Sequence, residues 1–151
     1  MPQSNRSVPT DVVVPHIFYR DVGEAVDWLS RAFGFVEHFR YGDPAHPSGA
    51  QMRFHDAVFM ISEVREGRST PADAGASTQS LTVFPEDVDA QYTRAKAAGA
   101  TIIEEPHETE YGEYQCAVKD FAGHLWIFSL HARDRSPEEW GATLAKKRKL
   151  G

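Results

Sequence analysis

Seven histidines are the side chains of this 151-residue chain best suited to metal binding or proton transfer near neutral pH. None follows another at the i, i+4 spacing of helical zinc sites. His46, between two prolines, and His131 are predicted to lie at the surface, and His124 is predicted to have a structural role in a turn. His16 differs because alternation along its predicted strand points its side chain to the inward face of that strand. It could be a pocket residue able to act as a general acid or base, or a merely polar, partly solvated position.

No nucleophile has the surroundings that covalent catalysis needs. No serine lies in a nucleophile elbow or beside an oxyanion motif. The single cysteine, Cys116, lies in a predicted strand away from any helix terminus, and we expect it to be a small buried apolar residue. The glycines at 67 and 75 lack the Gly-Lys pair of a phosphate loop.

The composition is that of one acidic, folded domain. Apolar residues make up 41% and charged residues 25% of the chain, and the net charge of -6 argues against a nucleic-acid partner. The one basic run, at residues 146–149, is predicted to be a solvated tail. The sequence shows no bilayer-length apolar stretch, no signal peptide and no second cysteine with which Cys116 could form a disulfide. It therefore predicts a cytoplasmic protein with no membrane partner.

The chain repeats one order of elements twice: a strand, a helix and three strands. We predict the first copy at 12–64 and the second at 79–131, joined by a linker at 65–78 without apolar periodicity. Asp21 and Asp87 occupy matching N-cap positions, and Gly34 and Gly99 matching helix ends. The alternative is two unrelated α+β halves, and these matches favour a true repeat. Residues 1–11 are predicted to be flexible, and residues 132–151 to be a tail with a peripheral helix.

Several segments carry a resemblance to a known family. They are DVGEAVDWL at 21–29, AFGF at 32–35, EDVDA at 86–90, RAKAAGA at 94–100, YGEY at 111–114 and KDFAGHLWIF at 119–128. In order and spacing they resemble the vicinal-oxygen-chelate (glyoxalase/bleomycin resistance/dioxygenase) superfamily, with the bleomycin-resistance and PhnB-like branches most similar in pattern. The resemblance implies an α+β fold of two βαβββ modules, with curled mixed sheets around a concave cavity. It also implies a homodimer.

The resemblance further implies where a metal would bind. Metal-dependent members place His or Glu on the inward face of the first and last strand of each module. The equivalent positions here are Val14, Met60, Ile127 and either Ser80 or Thr82, none of which is His, Asp or Glu. A two-residue slip keeps the same strand face and adds only one good ligand, His16. We therefore expect no metal and no other cofactor.

The remaining inward-facing side chains predict a largely apolar cavity with a few polar groups, suited to an aromatic or planar organic compound. The predicted ligand-binding residues are Val14, His16, Phe18, Met60, Ser62, Thr82, Phe84, Ile127 and Ser129. Trp126 and Phe128 have the opposite parity and are predicted to be core. Two functions stay open. One is a non-enzymatic protein that sequesters such a compound. The other is an enzyme, either a metal-dependent lyase or dioxygenase with ligands in another register, or a metal-free isomerase using His16. The missing ligands favour binding.

Overall fold

The computed structural model describes residues 3–146, in which two modules share one order of elements. The first contains β1 (His16–Tyr19), α1 (Val22–Phe33), β2 (Val36–Asp43), β3 (His46–Phe54) and β4 (Ala57–Glu63). After the linker helix α2 (Pro71–Ala74), the second contains β5 (Ser80–Val83), α3 (Val88–Ala97), β6 (Thr101–Glu108), β7 (Glu113–Lys119) and β8 (Leu125–His131). The predicted α+β fold of two βαβββ modules is confirmed.

Each module forms a four-stranded mixed sheet, with strand orders β1-β4-β3-β2 and β5-β8-β7-β6. In both sheets the first and last strands of the module pair in parallel and the other pairs are antiparallel. His16 lies opposite Met60, and Thr82 lies opposite Ile127. This register makes Thr82 the counterpart of His16 in the repeat, and therefore Ser80 the counterpart of Val14.

The two module helices begin in the same way. The carboxylates of Asp21 and Asp87 each accept a hydrogen bond of 3.0 Å from the backbone N–H three residues later. Their ends differ by one position, because Gly34 is itself the left-handed C-cap of α1, whereas Ala98 caps α3 and the left-handed Gly99 follows it. The sequence repeat is therefore a structural repeat at the level of helix capping.

Both sheets turn one face toward a single shared core, and the helices α1 and α3 contact each other within it. Phe33 at the end of α1 is fully buried and lies at its centre. Its ring centroid is 5.6 Å from that of Trp126 and 5.0 Å from that of Phe128, both on the second sheet. Trp126 also packs 5.2 Å from Phe35. Because both sheets use one face for this core, their other faces point away from it.

A buried carboxylate joins the modules. Asp120, 4% exposed, accepts hydrogen bonds from the Tyr19 hydroxyl at 2.7 Å and from Trp126 Nε1 at 3.0 Å. Its other oxygen accepts the backbone N–H groups of Ala122 and His124, both at 3.0 Å. Burial of Tyr19 beside this carboxylate raises the pKa of the phenol well above its ordinary value, so the hydroxyl remains a donor. The network ties the end of β1 to the turn before β8.

The segments outside the modules contact them at defined positions. The linker contains α2, whose first turn is capped by Thr70, and Ala72 N–H donates to the carbonyl of Ala122 at 3.0 Å. At the amino-terminal side, the carboxylate of Asp11 accepts from the backbone N–H of Val58 at 3.2 Å, which places residues predicted to be flexible against β4.

The predicted peripheral helix near the carboxyl end is replaced by one 3-10 turn, Pro137–Trp140. Ser136 provides no side-chain cap, and Gly141 adopts a left-handed conformation with φ 98° that ends the turn. The last residues of the predicted helix, 147–149, lie outside the described part of the chain. Within residues 3–146, no helix combines the length and apolar character needed to cross a membrane.

Candidate functional site

The first sheet presents four of the predicted pocket residues on its outward face. His16 and Phe18 of β1 lie opposite Met60 and Ser62 of β4, so each pair shares one side of the sheet. Ser62 is buried, Phe18 and Met60 are half-buried, and His16 is exposed. Val14, also half-buried, precedes β1 and makes no pairing within it.

A buried amide that the sequence does not predict lies beside these residues. Gln51 of β3 is 2% exposed and lies opposite Met60, with its amide nitrogen 3.7 Å from the Met60 sulfur. Its amide oxygen contacts Nδ1 of His38, and its amide nitrogen donates to the carbonyl of Ser7 at 3.5 Å. The first face therefore carries polar groups next to Met60, and the amino-terminal segment covers part of it.

The second sheet carries the other four strand residues of the predicted pocket. Thr82 and Ile127 lie opposite each other, and Phe84 and Ser129 continue along the same side. The Phe84 side chain is 49% exposed, and its ring centroid is 5.0 Å from that of His131. Phe84 is thus an accessible aromatic surface beside an imidazole.

A polar cluster lies around Ser129. The Ser129 hydroxyl donates to Glu113 at 3.0 Å and lies 3.4 Å from the amide oxygen of Gln115. Nδ1 of His131 is 2.8 Å from the other oxygen of Glu113, whose side chain is only 16% exposed. This pairing fixes the carboxylate and orients the imidazole of His131. The sequence predicts Ser129 as a pocket residue, but it does not predict Glu113, Gln115 or His131 there.

The nine predicted residues do not meet in one place. Four lie on the first sheet, four on the second, and Val14 just before β1. Among residues 3–146, no hydrogen bond or aromatic contact joins the two groups, and both faces point away from the shared core. One chain therefore offers two separate faces.

A family model supports the relationship that the fold suggests. The model of the Glyoxalase/Bleomycin resistance protein/Dioxygenase superfamily matches residues 11–128, which include the first module and the second up to Phe128 in β8. The chain belongs to this superfamily. Among curated relatives, the uncharacterized protein Rv0887c of Mycobacterium tuberculosis is 28% identical over 142 residues, covering 88% of this chain and 82% of that protein.

Solved structures with the same fold include two of particular interest. TioX from Micromonospora sp. ML1 is 30% identical with a TM-score of 0.66, covering 78% of this chain and 96% of that one. A bleomycin-binding protein complexed with bleomycin is 21% identical with a TM-score of 0.61, covering 80% of this chain and 98% of that one. At that lower identity the second similarity concerns the fold alone.

The residues of this glyoxalase-superfamily protein do not fit the divalent metal of metal-dependent members. Val14, Met60 and Ile127 present no nitrogen or carboxylate donor, and Thr82, like Ser80, offers only a hydroxyl. Across residues 3–146, no three His, Cys, Asp or Glu side chains lie together in a group that could hold a metal ion.

A pocket that shares His16 and Phe18 with the first sheet face lies between β1 and the linker. Its volume is about 330 Å³, and its wall includes His16, Phe18, Arg68 and His124. The Arg68 guanidinium lies 5.5 Å from the centre of the Phe18 ring, within the range of cation–π contacts. Nε2 of His124 is 2.7 Å from the carbonyl of Phe18, which fixes that imidazole against β1. We call this cavity the linker pocket.

Cys116 lies on the core side of β7 and is fully buried. Burial raises the pKa of its thiol from 9.0 to about 11, against the opposing effect of a hydrogen bond with the Phe128 backbone. The thiol therefore remains protonated and sheltered in the folded protein at neutral pH, which agrees with the predicted role as a small apolar residue.

The raised pKa of Cys116 predicts a loss of stability in alkali. Between about pH 9 and 11 the unfolded chain releases the thiol proton before the folded chain does, so the free energy of unfolding falls as pH rises. The loss attributable to this group is at most about 2 to 3 kcal/mol. Urea unfolding of wild type and Cys116→Ala across this range measures it. An identical pH dependence in both proteins would contradict the prediction.

Proposed function

We propose that this glyoxalase-superfamily protein binds a planar or aromatic organic compound without a metal, as a sequestration or resistance protein of the bleomycin-resistance or PhnB-like kind. The observation that carries the proposal is the chemistry at the metal positions. At the positions where metal-dependent members place His or Glu, this chain has Val14, Met60, Ile127 and either Ser80 or Thr82, whose side chains are apolar or carry only a hydroxyl. A surface of this kind favours burial of an organic ring over coordination of an ion.

The two sheet faces support this proposal because each combines an aromatic surface with polar groups. Phe18 on the first face and Phe84 on the second occupy equivalent positions in the repeat. Beside Phe84, Ser129 and Glu113 provide groups that can orient a ring carrying hydrogen-bonding substituents. A protein with the same fold is complexed with bleomycin, and small-molecule binding by this chain would agree with that.

The same proposal includes a homodimer. The two faces of one chain point away from the shared core, so a cavity with walls from both sheets needs a second copy. Both faces carry exposed apolar residues that such an association would cover, including Val36 and Tyr41 on the first and Phe84 on the second. We expect light scattering after gel filtration to give the mass of two chains. A single-chain mass that persists when a ligand is bound would contradict this part of the proposal.

The test of the function is a metal and ligand titration of protein purified without a His tag. We expect elemental analysis to find no stoichiometric metal, and added nickel, zinc, iron or manganese not to bind. Calorimetry with proflavine, 2-naphthoate and 2-naphthol then asks whether a cationic, an anionic or a neutral planar compound binds.

Two phenylalanine variants provide the matched comparison for this titration. Phe84 and Phe121 have similar exposure, at 49% and 41%, but Phe121 stacks on Tyr19 at the core side instead of lying on the second face. We expect Phe84→Ala to weaken binding on the second face roughly tenfold and Phe121→Ala to leave it unchanged. A tightly held metal would instead favour a lyase or dioxygenase. Failure of all three compounds to bind at millimolar concentration would refute the binding proposal.

A further inference from the structure

We propose that the linker pocket is a binding site for a planar aromatic compound that carries an anionic group such as a carboxylate. The inference rests on the proposed function for the planar character of the ligand, and it adds a binding location next to the first sheet face and the charge of the ligand that binds there. The aromatic ring would lie along the Phe18 wall, and the anionic group would reach the guanidinium of Arg68.

The charge of the lining supports an anion. The whole chain has a net charge of -6, yet the lining of this pocket contains one arginine, two histidines and no acidic residue. In the described part of the chain, no carboxylate lies within ion-pair distance of Arg68, whereas Arg20 nearby pairs with Asp73 at 2.7 Å. An Arg side chain without an acidic partner, facing an acid-free cavity, is ready to form a charge-assisted hydrogen bond with a carboxylate.

The shape of the pocket supports a small aromatic ligand. Its volume of about 330 Å³ is suited to a molecule of one or two rings. The half-buried Phe18 ring and the methyl groups of Ala74 and Ala76 provide apolar walls, and the imidazole of His16 lies on the same strand as Phe18. The guanidinium already lies above the Phe18 ring, so a flat ligand can replace or extend that stacking arrangement without moving the strand.

The second sheet face would select against the same ligand. There the polar groups around Phe84 include Glu113, a carboxylate held by Ser129 and His131. A negatively charged compound on that face would lie close to a like charge, which disfavours it. An aromatic anion should therefore distinguish the linker pocket from the second sheet face.

The experiment compares 2-naphthoate with 2-naphthol by calorimetry on the full chain. Four proteins are used: wild type, Arg68→Gln, Arg68→Lys and the control Arg65→Gln. Arg65 belongs to the same turn, where its backbone pairs with that of Arg68, but it does not line the pocket. We expect Arg68→Gln to weaken 2-naphthoate binding roughly tenfold and 2-naphthol binding little, since only the anion makes the charge-assisted bond. Lysine should restore part of the affinity, and Arg65→Gln should change nothing.

Each alternative result overturns the inference in a recognisable way. If 2-naphthol and 2-naphthoate bind equally and Arg68→Gln affects neither, the anion site at Arg68 is refuted. The proposed binding of planar compounds is then still supported. The same conclusion follows if 2-naphthoate affinity falls with Phe84→Ala but not with Arg68→Gln. If 2-naphthoate does not bind at all while proflavine does, the site is refuted and the binding function stands. Amide chemical shifts of residues 67–79 in the presence of 2-naphthoate should locate binding at the linker pocket, and their failure to move would count against it.

Discussion

Replacing Asp120 by Ala is expected to lower the free energy of unfolding by about 4 kcal/mol, because the buried carboxylate accepts four hydrogen bonds. Alanine would leave the Tyr19 hydroxyl, the Trp126 indole N–H and two backbone N–H groups without their acceptor. Each donor would keep its desolvation cost and lose its partner. The loss would affect both modules, since Tyr19 belongs to the first and Asp120 to the second.

Urea unfolding followed by circular dichroism measures this effect, with two further variants for comparison. Asp120→Asn keeps one acceptor oxygen for the backbone N–H groups but points an amide N–H₂ at two donors, so we expect a loss of about 2 kcal/mol. Asp134→Ala removes an exposed carboxylate and should change stability by less than about 0.5 kcal/mol. Equal stabilities for Asp120→Ala and Asp134→Ala would show that the network contributes nothing to folding.

Replacing Phe33 by Ala is also expected to lower the free energy of unfolding by about 4 kcal/mol. The variant loses apolar burial and leaves a cavity in the core. The ring is fully buried and packs edge-on against Trp28, Phe35, Trp126 and Phe128 at centroid distances of 5.0 to 5.6 Å. Four aromatic neighbours from both modules cannot all move inward to fill the space, so the cavity would remain.

Phe33→Leu separates the loss of volume from the loss of the aromatic contacts and should cost less than half as much. Phe84→Ala is the matched control, because the same truncation at a 49% exposed position removes little buried surface. Thermal unfolding by calorimetry gives all three values. If Phe33→Ala and Phe84→Ala lowered the melting temperature equally, the shared core would not depend on the ring between the modules.

The sequence predicts the modules well because their signals are local. Asp21 and Asp87 cap helices through hydrogen bonds to residues three positions on, which a sequence pattern can show directly. Strand alternation likewise places Trp126 and Phe128 in the core and Ile127 on the opposite face. The repeat adds to these signals, because matching positions in the two modules support the same assignment of helices and strands.

The site is harder to predict because its polar partners are set by pairing between strands. Glu113 and His131 meet only because β7 and β8 pair in one register, which also places Gln115 opposite Ser129. Alternation along β8 put Ser129 on the correct face and could have added His131 by the same parity, but no local pattern identifies Glu113 as its neighbour. The linker pocket is still harder to predict from the sequence, because it exists only where residues 67–79 lie against β1.

For a related reason, the sequence does not predict the hydrogen bonds of Asp120. The KDF segment was recognised as part of a family pattern, but the donor Tyr19 lies 101 positions away along the chain. Nothing in the local sequence shows that this aspartate is buried, since a turn of this composition is ordinarily solvated.

The position of Phe33 between the two sheets also bears on how a duplicated chain of this kind could arise. A module standing alone would expose the aromatic surface that Trp126 and Phe128 now cover, so an ancestor of one module would have needed another copy to fold. Joining two copies through a linker makes the association of the modules intramolecular. The effective concentration of one module near the other is then set by the length of the linker. The two halves would then be free to diverge, and the different residues at Met60 and Ile127, or at His16 and Thr82, are the kind of difference that such freedom permits.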